Sequence, residues 1–332
     1  MLKKILHTTV WRSEQILDRL RGQRDKRRII EPYIGYATPD HLVLRGRVLT
    51  ALRQNKPKPD QSRWTNFKQM FALFLTDEVA DVEVTAGGVT AFSDAEGYFT
   101  LLLPREDQTG WQEIGLRIVG EDATASCPVL VPGADAAVAV VSDIDDTVLE
   151  TGAYSLMRNL WTSLTGNALT RHIFSDAQRF LADMSEGGRN PVYFVSSSPW
   201  NLHTFLTQIF DRANVVTGPK FLRDLGVSET QFITGTHGDH KGSSIDTLLA
   251  ANPDVPHVLV GDTGQHDAYV YRDAILRHPG RIVAVVLREP GPGPDADSLA
   301  AMREISATGT LVLHGPTFDG FAQKLQAALA QT

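Results

Sequence analysis

Cysteines, long apolar runs and an excess of basic charge are all missing from this 332-residue chain, and each absence removes a class of protein. A single thiol, Cys127, can close no internal disulfide and build no cysteine-rich zinc site, so nothing points to an oxidising compartment. No stretch reaches the roughly 18 to 20 uninterrupted apolar residues that a bilayer span needs. Lys and Arg total 32 against 39 Asp and Glu, for a formal charge of -7. A general nucleic-acid binder needs a basic surface for its phosphate contacts, so nucleic acid is not an expected partner. With 42% apolar and 21% charged residues the chain is also too apolar to stay disordered.

What is present is unevenly spread. Residues 1–60 carry 14 Lys and Arg against 6 Asp and Glu, and the rest of the chain is correspondingly acidic. Over residues 2–29, Leu2, Ile5, Leu6, Trp11, Ile16, Leu17 and Leu20 recur at near-helical spacing between basic residues, which predicts an amphipathic helix over 1–29. Such a helix suits peripheral contact with an anionic bilayer, or packing on its own domain. His7, Thr8, Thr9 and Arg12 break the apolar start too soon for a signal peptide, so the expected address is cytoplasmic or peripheral at a membrane.

The length suits about two domains beyond that helix. Residues 30–133 alternate in short strand-like runs, HLVLRGRVL, VEVTAG, YFTLLL and IGLRIVG, with a hairpin signal at Asp94-Ala95-Glu96-Gly97. They predict a small antiparallel β-sandwich or barrel, similar to the carboxypeptidase-regulatory or transthyretin type. Pro132 and Gly133 end it. Residues 134–332 alternate strands with helices, which predicts a doubly wound parallel α/β sheet with helices on both faces. The expected strands are 137–142, 192–196, 214–217, 257–261, 281–287 and 310–314. One helix is expected to be capped by Ser175 and stopped by Gly187, another to start at Ser198 and Pro199.

Four polar clusters fall at predicted strand ends, where such folds do chemistry. AAVAVVSDIDDTVLETG ends an apolar strand in Asp143, Asp145, Asp146 and Thr147, and clustered carboxylates there need a cation or hydrogen bonds. Mg²⁺ suits carboxylate and carbonyl oxygens; a capped helix start is the plainer explanation. VYFVSSSPWN delivers Ser196, Ser197 and Ser198, either a phosphate seat or a turn. THGDHKGSSIDTLL places Lys241 before a helical run, where lysines are ordinarily solvated. Its His237, Asp239 and His240 lack a further ligand cluster and read as loop. HVLVGDTGQHDAYVY adds Asp262 and Asp267, either metal ligands or parts of a turn.

The joint order separates these alternatives: Asp143/Asp145/Thr147, then Ser196, Lys241 and Asp262/Asp267. Residues of these types in this order resemble the haloacid dehalogenase superfamily. DIDDTV, YFVSSSPWNL, HKGSSIDTLL and GDTGQHDAYVY resemble, more narrowly, the actin-patch-type phosphatidate phosphatases and their bacterial relatives, over about 137–315. EPYIGYATPDHLVLRGRVL looks like the β-domain of the bacterial members.

The resemblance implies a Mg²⁺-dependent phosphatase with an aspartyl-phosphate intermediate. In it Asp143 is the nucleophile and Asp145 the acid and base. Asp143, the Asp145 carbonyl and Asp262 hold Mg²⁺, supported by Asp267. Ser196 grips the phosphate, with Ser197 as its possible substitute, Lys241 offsets charge and Thr147 braces the loop. Only about 50 residues separate the first two motifs, too few for a large cap. The apolar side chains in 154–174, among them Leu156, Met157, Leu160, Trp161 and Leu164, either flank an open site or pack on the sheet. The expected substrate is a lipid phosphate such as phosphatidate, giving diacylglycerol. The alternatives are another phosphomonoester, on a phosphoprotein or a soluble metabolite, and a non-catalytic membrane-surface adaptor.

Overall fold

A computed structural model of the chain describes residues 27–50, 79–150, 173–223, 237–291 and 293–330. The expected basic helix, up to residue 26, and the apolar segment 154–172 lie outside the described residues. Strand begins at Arg28, so the last two positions of the expected helix are extended instead.

The first seven strands are β1 (Arg28–Ala37), β2 (His41–Thr50), β3 (Glu83–Ala86), β4 (Val89–Phe92), β5 (Tyr98–Pro104), β6 (Gly110–Ile118) and β7 (Thr124–Val131). They hydrogen-bond into one sheet in the order β4-β3-β6-β7-β1-β2-β5. Every pair is antiparallel except β1 with β7. The sequence leads one to expect a small antiparallel sandwich or barrel; the strands pair in one sheet whose edge strands β4 and β5 come into contact. Alternation in β2 explains its sequence. Leu42, Leu44 and Val48 join the sheet's own core, whereas Val43, Arg45 and Arg47 face the second sheet.

The second sheet holds β8 (Ala139–Asp143), β9 (Val192–Pro199), β10 (Lys220–Arg223), β11 (His257–Asp262), β12 (Ile282–Arg288) and β13 (Leu311–Gly315), all parallel, in the order β10-β9-β8-β11-β12-β13. Val140, Phe194, Val258 and Val286 pack under α1 (Ser175–Ser185), α2 (His203–Arg212) and α6 (Phe321–Leu329). The alternate residues Val141, Tyr193, Leu259 and Val285 pack under α3 (His237–Ala251), α4 (Asp267–Arg277) and α5 (Ala296–Ala307). Burial on both faces is why these strands are near-continuous apolar runs. The strand order reverses between β8 and β11, which opens a crevice at their carboxyl ends. Among the described residues no helix is long and apolar enough to cross a membrane.

Three local expectations are corrected. The strand expected at 214–217 is instead Lys220–Arg223. Asn214, at φ 51, turns the chain out of α2, and the Val215 amide donates to the Phe210 carbonyl. A Cβ on Gly218 would lie 1.9 Å from the Val192 carbonyl oxygen, so the chain presses on β9 only there. Helix α1 is preceded by Phe174 with no side-chain cap, and it ends at left-handed Glu186, one residue before Gly187. Its apolar stripe of Ala177, Phe180, Leu181 and Met184 follows helical spacing. Strand β9 runs through Ser198 to Pro199, and α2 starts at His203 after a short 3-10 turn, so Ser198 is no helix cap.

His257, which opens β11, is fully buried, and neither ring nitrogen has a hydrogen-bond partner among the described residues. Burial, and then the nearby Arg281 guanidinium, push its imidazole down to about 4. The fold therefore holds it neutral, and its contribution is complete above the ordinary histidine range and lost as pH falls through about 4. By linkage this is worth up to about 3 kcal/mol. Urea unfolding at pH 7 and pH 4.5 should show His257→Val losing less stability on acidification than the parent; parallel losses would contradict the assignment.

Candidate active site

The site is built on the carboxyl ends of β8, β9 and β11. Asp143 is the last residue of β8 and only 2% exposed. The chain then turns through Asp146, at φ 56, with its amide donating to the Leu149 carbonyl at 2.8 Å. Aspartate tolerates this left-handed conformation better than most residues. Half-buried Asp145 points its Oδ2 at β9, where it accepts from Ser196 Oγ at 2.8 Å and Ser198 Oγ at 3.0 Å. Ser196 Oγ also accepts the Ser198 amide at 2.9 Å.

Lys241 lies inside α3 rather than ahead of it, because the HGDHK segment forms the first turns of that helix despite Gly238. A helix bears one glycine at a cost of about 1 kcal/mol. Lys241 is buried, not solvated: its Nζ lies 2.8 Å from Asp143 Oδ1 and 2.5 Å from Asp267 Oδ1. Burial disfavours its ammonium, but the charges of Asp143 and Asp267 and hydrogen bonds to both outweigh burial and raise its pKa.

Asp262 ends β11 and is fully buried. Its Oδ1 accepts the Gly264 amide at 2.6 Å, and its own amide donates to Asp267 Oδ2 at 3.1 Å. Gly261 is required here, since a Cβ would come within 2.4 Å of Asp267 Oδ2 and 2.6 Å of the Tyr271 hydroxyl. Burial and then Asp267 push the Asp262 carboxyl up to about 8. Asp143 is raised as well, by burial first; Lys241 opposes this, and Asp267, Asp145 and Asp262 add to it.

Asp143, Asp262 and Asp267 offer one oxygen each within 4.8 Å of one another. Asp143 Oδ2 and Asp262 Oδ2 are buried with no hydrogen-bond donor among the described residues. Three buried carboxylates against one ammonium leave negative charge to be met, and the two orphaned oxygens suit a hard divalent cation. Both oxygens of Asp267 accept hydrogen bonds, one from Lys241 and one from the Asp262 amide. His240 is outside this triad.

The structure thus brings Asp143, Asp145, Ser196, Lys241, Asp262 and Asp267 together. Ser197 stands between two serines that both reach Asp145, on the opposite side of the pleat. Thr147 is buried with its hydroxyl unpartnered among the described residues, while its carbonyl accepts from Arg288 Nε at 3.2 Å.

Ser198, a candidate in the sequence, takes a different role here, and two further contributors emerge only in the fold. Ser198 shares the Asp145 contact, and the i, i+2 spacing of a strand is the signal that pairs it with Ser196. Gln265 Nε2 reaches the Asp145 carbonyl at 3.3 Å and Asp146 Oδ2 at 3.1 Å. Buried Arg288 ties Thr147 to Asp176, which it meets at 2.6 Å. Neither of the latter has a local signal in the sequence.

A buried carboxylate beside a lysine, a second carboxylate two residues on, and two hydroxyls thus lie together at the strand ends. Comparison with known proteins gives the following matches. The family described as phosphatidate phosphatase APP1, catalytic domain, matches residues 138–289. Phosphatidate phosphatase APP1 of Saccharomyces cerevisiae is 26% identical over 151 residues, covering 46% of this chain and 26% of that protein. An uncharacterized protein of Schizosaccharomyces pombe is 28% identical over 229 residues, covering 65% of this chain and 37% of that protein. The chain spans well under half the length of these curated relatives. The structure of a carbohydrate acetylesterase from Xanthomonas citri covers 87% of this chain and 68% of its own at 11% identity, with a TM-score of 0.30 too low to bear on fold or function. Through residues 138–289, this chain is similar to the phosphatidate phosphatase APP1 catalytic-domain family.

Proposed function

We propose that the chain is a Mg²⁺-dependent phosphatase of haloacid dehalogenase type that removes phosphate from a lipid such as phosphatidate, leaving diacylglycerol. The observation that carries this reading is the Asp143 carboxylate, buried at the end of β8 and bound to Lys241 at 2.8 Å, with Asp145 two residues on and hydrogen-bonded to Ser196 of β9. The strand order supports a Rossmann-like sheet, and the family match over residues 138–289 supports the lipid substrate.

In this mechanism an Asp143 oxygen attacks phosphorus, the bond to the ester oxygen breaks, and the departing alkoxide takes a proton from Asp145. Asp145 then takes a proton from water as that water attacks the aspartyl-phosphate, releasing inorganic phosphate and the Asp143 carboxylate. Ser196 and Ser198 hold Asp145 on the face it needs for both transfers. When phosphate binds, the single Ser196 O–H turns from Asp145 to a phosphoryl oxygen while Ser198 keeps Asp145 in place; Thr147 braces the loop, and Lys241 offsets the charge on Asp143 and the incoming phosphate. Mg²⁺, held by Asp143, Asp262 and the Asp145 carbonyl with Asp267 in support, supplies neutralising charge when bound.

The decisive experiment assays the purified chain on phosphatidate in mixed micelles and on a panel of soluble phosphomonoesters and phosphopeptides, with Mg²⁺ and with EDTA. Phosphate release from phosphatidate that EDTA abolishes is expected. Turnover confined to soluble substrates would remove the lipid assignment, and no turnover of any phosphomonoester would remove the enzyme.

A further inference from the structure

The segment that follows the serine loop, Trp200 to Thr204, is where the β-module meets the α/β sheet. Two donors from different strands converge on one acceptor there. Arg47 Nη1 of β2 donates to Asn201 Oδ1 at 3.1 Å, and the Tyr98 hydroxyl of β5 donates to the same oxygen at 3.2 Å. Arg47 is 2% exposed; its Nε donates to the Glu96 carbonyl at 2.7 Å, and its guanidinium lies 4.5 Å from the Tyr98 ring centroid. One residue earlier, Trp200 stacks on Tyr33 of β1 at 4.6 Å and 12°, and the Arg45 guanidinium covers it at 5.2 Å. Arg45 also donates to the Lys220 carbonyl of β10 at 3.1 Å, and Glu31 accepts the Thr204 hydroxyl.

An interface that had only to adhere would be better served by apolar side chains, because burying a guanidinium is costly unless its donors are met. Its planar fork fixes direction as well as contact. Pairing with β8 ends at Val195 and β10 pairs only at Pro199 beyond it, so the grip on Trp200 and Asn201 fixes the far end of the serine loop, the β9 segment that contains Ser196 and Ser198.

We propose that the β-module is a working part of the phosphate site: Arg47 and Tyr98 act through Asn201, and Tyr33 and Arg45 through Trp200, to hold the serine loop against Asp145. Arg47, Tyr98 and Asn201 are positioning residues. The catalytic part of this inference rests on the phosphatase reading above, but the mechanical part does not.

The test compares Asn201→Ala, which loses the acceptor, with Asn201→Asp, which keeps an oxygen for both donors. In the full chain, Asn201→Ala should lower kcat roughly 10- to 100-fold, the scale on which a displacement of about 1 Å acts. Asn201→Asp should restore kcat to within about threefold of the parent. Hydrogen exchange of the peptide spanning Ser196 to Ser198 should quicken about tenfold in the alanine variant and return in the aspartate variant, with peptides from α4 unchanged. Should Asn201→Ala fail to fold, Tyr98→Phe takes its place with an intermediate effect. Unchanged exchange at the serine loop, unchanged kcat per folded molecule, or equal defects in the alanine and aspartate variants would overturn the proposal. If the parent turns over no phosphomonoester, the phosphatase reading fails by itself and hydrogen exchange alone decides the inference.

Discussion

Replacing Asp143 with asparagine is expected to reduce turnover at least about 10,000-fold while leaving the metal-free protein as stable as the parent or more so. The two halves have separate causes. A carboxamide offers no anionic oxygen to attack phosphorus, so no aspartyl-phosphate forms. The stability half follows from burial, which, with the further effect of Asp267, Asp145 and Asp262, raises the Asp143 carboxyl despite Lys241. A carboxyl whose folded-state pKa lies above its unfolded value takes stability away as pH rises past the ordinary carboxylate range, and an amide of the same shape does not ionise. Lys241 keeps its second partner, Asp267, at 2.5 Å. Kinetics on the best substrate of the panel, with thermal unfolding in EDTA, check both halves. Turnover within tenfold of the parent would remove Asp143 as nucleophile.

Lys241→Met should be the most damaging single change at neutral pH, because it costs both activity and fold. Its ammonium is the nearest positive charge to two buried carboxylates, and removing one partner of such a cluster costs about 3 to 5 kcal/mol. Turnover should fall at least about 1,000-fold, since charge developing on the phosphate and on Asp143 is no longer offset. The pH dependence has a definite sign. Lys241 is raised above its unfolded value, so its contribution is complete below the ordinary lysine range, provided the carboxylates are ionised. Acidification protonates Asp143, whose carboxyl burial raises, so the deficit of the methionine variant should shrink between pH 8 and pH 5. Urea unfolding at the two pH values measures this. Equal stability of parent and variant at pH 8 would show that the pair contributes nothing.

Much of this site is legible in the amino-acid sequence. Asp143 and Asp262 each follow a near-continuous apolar strand, and a chain that buries both faces of a parallel strand has only the strand end on which to present a charge. The order of acid, serine, lysine and acid in one alternating segment completes the pattern. Lys241 by itself is not legible, because lysines ahead of a helix are ordinarily solvated and its burial depends on Asp143 and Asp267 lying close in space. Ser198 reads as a helix cap because Pro199 suits a first helical turn. Its hydroxyl is instead spent on Asp145, 53 residues away in the chain. Strand β10 falls outside its expected position because Lys220 and Arg223 bracket a two-residue apolar core, whereas the more strand-like Val215 and Val216 serve the exit from α2.

The division between sequence and structure follows contact range. Periodicity and turn chemistry act over a few residues, so the sequence alone determined a β-module followed by a parallel α/β sheet, the carboxylates at its strand ends and the family resemblance. Tertiary structure decided what depends on pairs far apart in the chain. It made Lys241 a buried counter-ion, chose Ser196 and Ser198 over Ser197 as the partners of Asp145, and set Arg47 against Asn201 across 154 residues. Such pairs leave no local trace, because each partner alone satisfies the same pattern whether or not the other is near.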